Sequence, residues 1–260
     1  MTSRAADDSG RLGELAGRLA QVRARIAAAC EAVGRPPDDV TLIAITKTFP
    51  ASDVALLASL GVTDFGENRD QEAAPKASAA AALGVRPRWH FVGQLQVNKV
   101  ASVVRYADVV HSVDRLRLVS ALGSRAAGGE RRISCLIQVN LDPDAADAGQ
   151  GDGHDRGDSG HDYPGRGGAL PADVPGLADA VAAQDGLVLG GVMAVAPLGQ
   201  PPGPAFRTLR QVADKLRAVH PGATTISAGM SGDLDEAIAE GATHVRVGTA
   251  LLGGRPPFVR

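Results

Sequence analysis

The residues best suited to chemistry are one lysine and a set of small or hydroxyl-bearing residues far from it in the chain. Lys47 closes the run Val40-Thr-Leu-Ile-Ala-Ile-Thr, in which six of seven residues suit a strand buried on both faces, and Pro50 follows. A strand that ends this way delivers an amine. In a desolvated site the neutral form of an amine is favoured, and it attacks a carbonyl to give a Schiff base. Near the other end stands Ser227-Ala-Gly-Met-Ser231-Gly-Asp-Leu-Asp-Glu, with a helix expected from about Gly232 and Asp233 and Asp235 in its first turn. Free amides at a helix start bind phosphate. The run Val245-Arg-Val-Gly-Thr249 adds Gly248, which allows close backbone approach to an anion, and the Thr249 hydroxyl. An aldehyde-reactive amine opposite a phosphate cradle suits pyridoxal 5′-phosphate (PLP), which carries both groups. It suits equally a Schiff-base aldolase acting on a sugar phosphate, and spacing alone does not separate the two.

These groups meet only if the intervening elements bring them together. Residues 11–34 carry apolar residues at helical spacing and end at Gly34 before Pro36-Pro37, which predicts an amphipathic helix with a firm stop. Strand-like apolar runs follow near 40–47, 62–66, 89–93, 108–113, 134–141, 187–196, 224–228 and 244–248. Helix-like segments at 51–60, 69–83, 95–105, 114–127, 172–184, 204–219 and 232–240 separate them. Strict alternation implies parallel strands with helical crossovers. The predicted fold is α/β: a single (β/α)8 TIM-type barrel with an extra N-terminal helix, as one domain over 1–260 with a disordered tail at 1–10. An open doubly wound sheet is the alternative, but no GxGxxG follows the first strand. In a barrel, Lys47 enters the mouth at the end of strand one, and the phosphate cradle follows strands seven and eight. Polar side chains also gather where the second and third runs stop: Glu67, Asn68, His90, Gln94, Gln96 and Asn98. Taken alone, His90 reads as a hydrogen-bonded core histidine and Trp89 as a core residue.

Composition narrows the function classes. With 27 basic against 29 acidic residues the formal net charge is −2, which calls for neither nucleic acid nor an anionic membrane as partner. Cys30 and Cys135 lie far apart in apolar surroundings and read as buried thiols of a reducing compartment. The start, MTSRAADDSG, has no apolar signal region, and no apolar run reaches membrane-spanning length, so a cytoplasmic protein is expected. Residues 142–170, rich in glycine and aspartate, interrupt the rhythm and read as a long mobile loop. His154, Asp155, His161 and Asp162 within it have no scaffold to make them metal ligands, so no metal site is predicted.

The segments LIAITKTFP, FGENRDQE, RWHFVGQLQVNK, VVHSVDR, IQVNLD, GGVMAVAP and ISAGMSGDLDEAIAEGATHVRVGTALLGGR recur in order from about residue 40 to 255. Together they resemble the pyridoxal-phosphate homeostasis protein family, whose fold is similar to the alanine racemase N-terminal domain. The resemblance implies that Lys47 is the Schiff-base lysine. It implies phosphate contacts from Ser231, Gly248 and Thr249, with Ser227 and Asn68 nearby, and Arg246 beside the pyridine nitrogen. Two features depart from the family pattern: Arg69-Asp70 after FGEN, and the long 142–170 segment, where GRGGA stands in place of a lysine-glycine segment. Guanidinium only donates hydrogen bonds, so Arg246 would face an unprotonated ring nitrogen, which is a poor electron sink. A racemase also needs a second base, supplied in the related racemases from a second domain; here only Tyr106 and Tyr163 are available. The expected function is therefore to hold PLP and hand it on without evident catalysis, as a monomer, with apo-PLP enzymes as recipients. A PLP-dependent amino-acid racemase is the alternative.

Overall fold

A computed structural model describes residues 2–129, 131–142 and 167–254, with side chains from Ser9 onward. It is built on β1 (Thr41–Ile45), β2 (Asp64–Glu67), β3 (Arg88–Phe91), β4 (Val109–Val113), β5 (Ile133–Gln138), β6 (Leu187–Met193), β7 (Thr225–Ser227) and β8 (His244–Val247). All pair in parallel and in chain order, and β8 closes on β1 to complete a barrel. Each predicted strand-like run overlaps one of these strands, with β2, β3 and β5 each reaching one residue beyond its run.

The helices are α1 (Thr2–Glu31), α2 (Ala51–Ser59), α3 (Asp70–Ala82), α4 (Val100–Tyr106), α5 (Leu116–Ala126), α6 (Val174–Ala182), α7 (Pro202–Val219), α8 (Leu234–Ala239) and α9 (Thr249–Leu252). The helix α1 begins at Thr2, so the stretch expected as a disordered tail at 1–10 falls largely within it. Helix α9, one turn long, was not expected. Of the loop expected over 142–170, residues 143–166 lie outside the described residues, and so do the four candidate ligands His154, Asp155, His161 and Asp162. The end of that segment is stitched to the barrel: Val139 bridges Ala169 in parallel, and the Ala169 amide donates to the Gln138 carbonyl at 2.8 Å.

Helices cover the barrel because the outward residues of each strand are apolar. Ala44, Phe65, Trp89, Val245 and Val247 pack with α1 residues Leu15, Leu19, Val22 and Ile26 in one core layer. Trp89 is buried against Phe65 as its default reading required, with ring centroids 6.1 Å apart. Cys135, Ile137 and Val192 join Leu118, Leu122, Leu209 and Phe206 in a second layer. Inside the barrel, Val109, Leu136 and Met193 form a small apolar cluster of their own.

One strand needs an irregularity to reach its neighbour. Between Leu189 and Gly191 the β5–β6 register slips by one residue. Gly191 takes φ 146°, and a Cβ placed there would lie 2.0 Å from the Thr225 carbonyl oxygen on β7. Only glycine fits so near a backbone oxygen. Gly191→Ala should therefore cost about 2–4 kcal/mol and lower the thermal midpoint by roughly 5–10 °C. A midpoint within a degree of wild type in a thermal melt would contradict this packing.

Candidate functional site

Lys47 lies two residues beyond the end of β1. It stands in the turn that follows the inward-facing row Ile43, Ile45, and its side chain is half-buried. The assignment of that row as inward rests on Gly66 of β2, where an added Cβ would meet Ile45 and Ile43 side chains at 2.4 and 3.1 Å. On the other side of β1 stands β8, with Arg246 paired to Ile43 and Val247 to Ala44. Alternation then puts Arg246 and Gly248 in the same inward row. Gly248 confirms this placement, since a Cβ on it would lie 3.4 Å from Ile45 Cβ. Arg246 therefore lies in the barrel interior below Gly248 on β8, and Lys47 follows the end of the adjacent strand β1.

The loops after β7 and β8 meet beside them. The Ala250 amide, in the first turn of α9, points at Ser231 Oγ at 3.5 Å. Gly248 is the residue that enters α9, and Thr249 begins it with an exposed side chain. The expected helix after Ser231 starts at Leu234, with Asp233 accepting from the Met230 amide at 2.6 Å. Asp235 does lie in the first turn of α8, but Arg25 of α1 occupies it. The same arginine donates to the Ser231 carbonyl. So α1 fixes the loop that carries Ser231. Asn68 follows β2 directly, and Gly93 packs on it so tightly that a Cβ there would lie 2.0 Å from the Asn68 carbonyl oxygen.

The polar cluster expected at the strand ends divides in three. Gln94, Gln96 and Asn98 are exposed in the loop after β3. Glu67 is fully buried and turns away from the axis, where Thr46 donates to it at 2.6 Å and Lys76 of α3 pairs with it. Burial pushes the Glu67 carboxyl up against the pull of Lys76. This pair fastens α3 to the barrel and leaves the mouth without that carboxylate. His90 lies deep inside rather than at the rim, hydrogen-bonded as the core reading had it.

Arg246 and Ser227 are both buried. Arg246 Nη1 donates to Ser227 Oγ at 2.7 Å, and Nη2 donates to the Ala194 carbonyl at 2.8 Å. Ser227 Oγ lies 3.1 Å from His111 Nδ1, and His111 Nε2 lies 2.8 Å from His90 Nδ1. His90 Nε2 then reaches Asp64 Oδ1 at 2.8 Å, and Thr63 donates to the other oxygen at 2.6 Å. Neither His111 nor Asp64 was singled out from the sequence. The available signal was parity: Asp64 and Gly66, His111 and Val109, His244 and Arg246 are inward pairs two residues apart in runs otherwise apolar.

Burial pushes His111 well below an ordinary histidine, assisted by His90 and Arg246. Burial also pulls His90 down, partly opposed by Asp64. It brings His244 to about 4. Burial alone would raise Asp64, but hydrogen bonds from His90 and Thr63 outweigh it and keep that carboxyl low. The interior thus holds neutral imidazoles above an ionised carboxylate. Among the described residues, no group of three or more His, Cys, Asp or Glu is placed to hold a metal ion, and no helix is long and apolar enough to cross a membrane.

Comparison with known proteins places this geometry in a family. The chain is 42% identical over 264 residues to the pyridoxal phosphate homeostasis protein of Mycobacterium tuberculosis (strain ATCC 25618 / H37Rv), an alignment covering 94% of each. The chain belongs to the pyridoxal phosphate homeostasis protein family. A family model of the alanine racemase N-terminal domain matches residues 154–256. Among solved structures, PipY of Synechococcus elongatus PCC7942 with PLP bound superposes with a TM-score of 0.74 at 32% identity, covering 92% of this chain and all of that one. Alanine racemase from Corynebacterium glutamicum shares the fold at a TM-score of 0.62 and 14% identity, and this chain spans 60% of it. The barrel expected from the alternation is thus the family's barrel.

The buried imidazoles give stability a direction with pH. An unfolded histidine takes a proton near its ordinary value of 6.5, whereas His90, His111 and His244 resist one in the fold. The unfolded chain therefore gains protons first, and stability falls as pH drops below about 6.5. Urea midpoints should decrease from pH 7.5 to pH 5, and His244→Asn should flatten the decline. A midpoint constant or rising over that interval would contradict neutral buried imidazoles.

Proposed function

We propose that the chain binds PLP in the barrel mouth, holds it covalently through Lys47, and hands it to apo-enzymes as a monomer, keeping the free aldehyde scarce. The reading rests on one observation: a lysine just past the end of β1 lies one strand away from an inward, buried arginine on β8, and the loops of Ser231 and Thr249 after β7 and β8 meet each other. PipY, with PLP bound, supports it across nearly the whole chain.

The donor set fits the cofactor. Lys47 supplies the amine that would bond to the aldehyde carbon with loss of water. Ser231, Gly248 and Thr249, with Asn68 after β2, would supply hydroxyls and amides for the phosphate, whereas the buried Ser227 hydroxyl is committed to Arg246 and His111. Gly248 leaves room there that a Cβ would fill. When bound, PLP offers an aldehyde to amines and a ring that can draw electrons from an attached carbon. Arg246 limits the second property, because a guanidinium can donate to the ring nitrogen but cannot accept from it. A carboxylate at that place would favour ring protonation and electron withdrawal instead.

A racemase would also need a base on the far face of the substrate. Of the two candidate tyrosines, Tyr106, at the end of α4, packs against both outer core layers rather than in the mouth, and burial holds its phenol protonated, while Tyr163 lies outside the described residues. A sugar-phosphate aldolase leaves Arg246 without a purpose. The carrier reading is the one these side chains support.

Incubation of the purified wild-type chain with PLP, followed by borohydride, should add the mass of reduced pyridoxyl phosphate to the peptide containing Lys47. Lys47→Ala should abolish the adduct and leave the thermal midpoint within about 2 °C, because a half-buried rim side chain contributes little to packing. An unmodified Lys47, or an adduct of equal yield in the variant, would remove the proposal.

A further inference from the structure

The side chains behind Arg246 form one uninterrupted chain. It passes from β8 to Ser227 on β7, crosses the interior to His111 on β4, and continues through His90 on β3 to Asp64 at the start of β2. TIM-type barrels fill this space with branched apolar side chains, and here Val109, Leu136 and Met193 fill only part of it.

The two ends fix every proton between them. Arginine can only donate, and an ionised carboxylate can only accept. Asp64 therefore takes the N–H of His90 Nε2, and neutral His90 is left with Nδ1 as an acceptor. His111 must then donate from Nε2, which makes its Nδ1 an acceptor in turn. That nitrogen takes the Ser227 hydroxyl proton, and Ser227 Oγ accepts from Arg246. All four bonds point the same way, from cation to anion. Each imidazole has one allowed tautomer, assigned from the network. Aligned bonds in a low-dielectric interior polarise one another and strengthen.

We infer that Asp64, His90 and His111 are positioning residues for PLP, acting through Ser227 to fix the plane and polarity of the Arg246 guanidinium. The inference rests on the proposal that Arg246 serves the cofactor's ring nitrogen. The Ala194 carbonyl holds one terminal nitrogen and the relay holds the other, so the fork cannot rotate about its own axis without breaking one of these bonds. Partners that orient a ligating group from behind typically account for about 10–100-fold in affinity at metal sites. A similar lever acts here on a guanidinium.

The test uses Asp64→Asn, which keeps the shape of the anchor and removes its charge. An asparagine can donate to His90 as readily as accept from it, so the direction of the chain is no longer forced. Long-range ¹H–¹⁵N spectra of the cofactor-free wild type should show His90 and His111 as neutral Nε2–H tautomers, with Asp64→Asn giving mixed or reversed tautomers. The variant should bind PLP about tenfold more weakly while still forming the Lys47 adduct. Asp64→Glu, which restores the charge, should recover part of that affinity. Should Asp64→Asn fail to fold, His90→Gln serves in its place, with the same tautomer loss at His111 and the same fall in affinity. Nδ1–H or doubly protonated rings in the wild type would overturn the relay. Unchanged affinity in a folded variant would overturn the positioning role while leaving the cofactor proposal intact. A wild type that takes up no PLP would overturn both.

Discussion

A guanidinium sealed inside a barrel is the constraint on which the rest depends. An unpaired charge there would cost several kcal/mol, so every contact around Arg246 has to offset that loss. The fold does this with a backbone carbonyl at Ala194 and with a chain of neutral dipoles that ends on an ionised carboxylate. The charge pair is split across the interior instead of being placed in contact. Side chains of β2, β3, β4 and β7 that would otherwise be apolar are committed to this arrangement. In return the arginine is held rigidly on β8, one strand away from Lys47.

Closure between β8 and β1 is what makes that neighbourhood possible, and α1 secures it. Arg11 pairs with Asp53 of α2 and donates to the Leu252 carbonyl of α9. Arg25 ties down Asp235 and the Ser231 carbonyl, and Arg35, just past α1, donates to the carbonyls of Ile238 and Ala242. Beneath these contacts, Leu15, Leu19, Val22 and Ile26 pack on β1 and β8 residues. The first helix is therefore a clasp across the seam. It holds the loops that carry Ser231 and Thr249 against the end of the strand that carries Lys47. On the other side of β1, Glu67 and Lys76 fasten α3, which keeps that carboxylate out of the mouth.

The sequence reveals the architecture because parallel strands buried on both faces read as apolar β-branched runs, and each run from 40–47 to 244–248 overlaps a strand. Lys47, Ser231, Gly248 and Thr249 stand out as candidates from their places at strand ends and in glycine-rich turns. Arg246, Ser227 and Asn68 come forward as candidates only through resemblance to a family, since nothing in an isolated arginine or serine marks it as interior. His111 and Asp64 escaped notice because their meaning lies in contacts between strands distant in the chain: His111 and Ser227 are 116 residues apart. Glu67 was misplaced by one step of alternation, which turns a side chain from the mouth to the helix layer. The start of α1 at Thr2 could not be read from MTSRAADDSG, where the helical period is faint.

On the proposed function, the amine of Lys47, the guanidinium of Arg246 and the rim formed by Ser231, Gly248 and Thr249 serve a single bound molecule. A crystal structure of the chain grown with PLP measures this directly. The account predicts continuous density from Lys47 Nζ to the ring, the phosphate against Ser231, Gly248 and Thr249, and the ring nitrogen within hydrogen-bond distance of Arg246. PLP seated anywhere outside the mouth, or in the mouth with its phosphate directed away from those three residues, would contradict it.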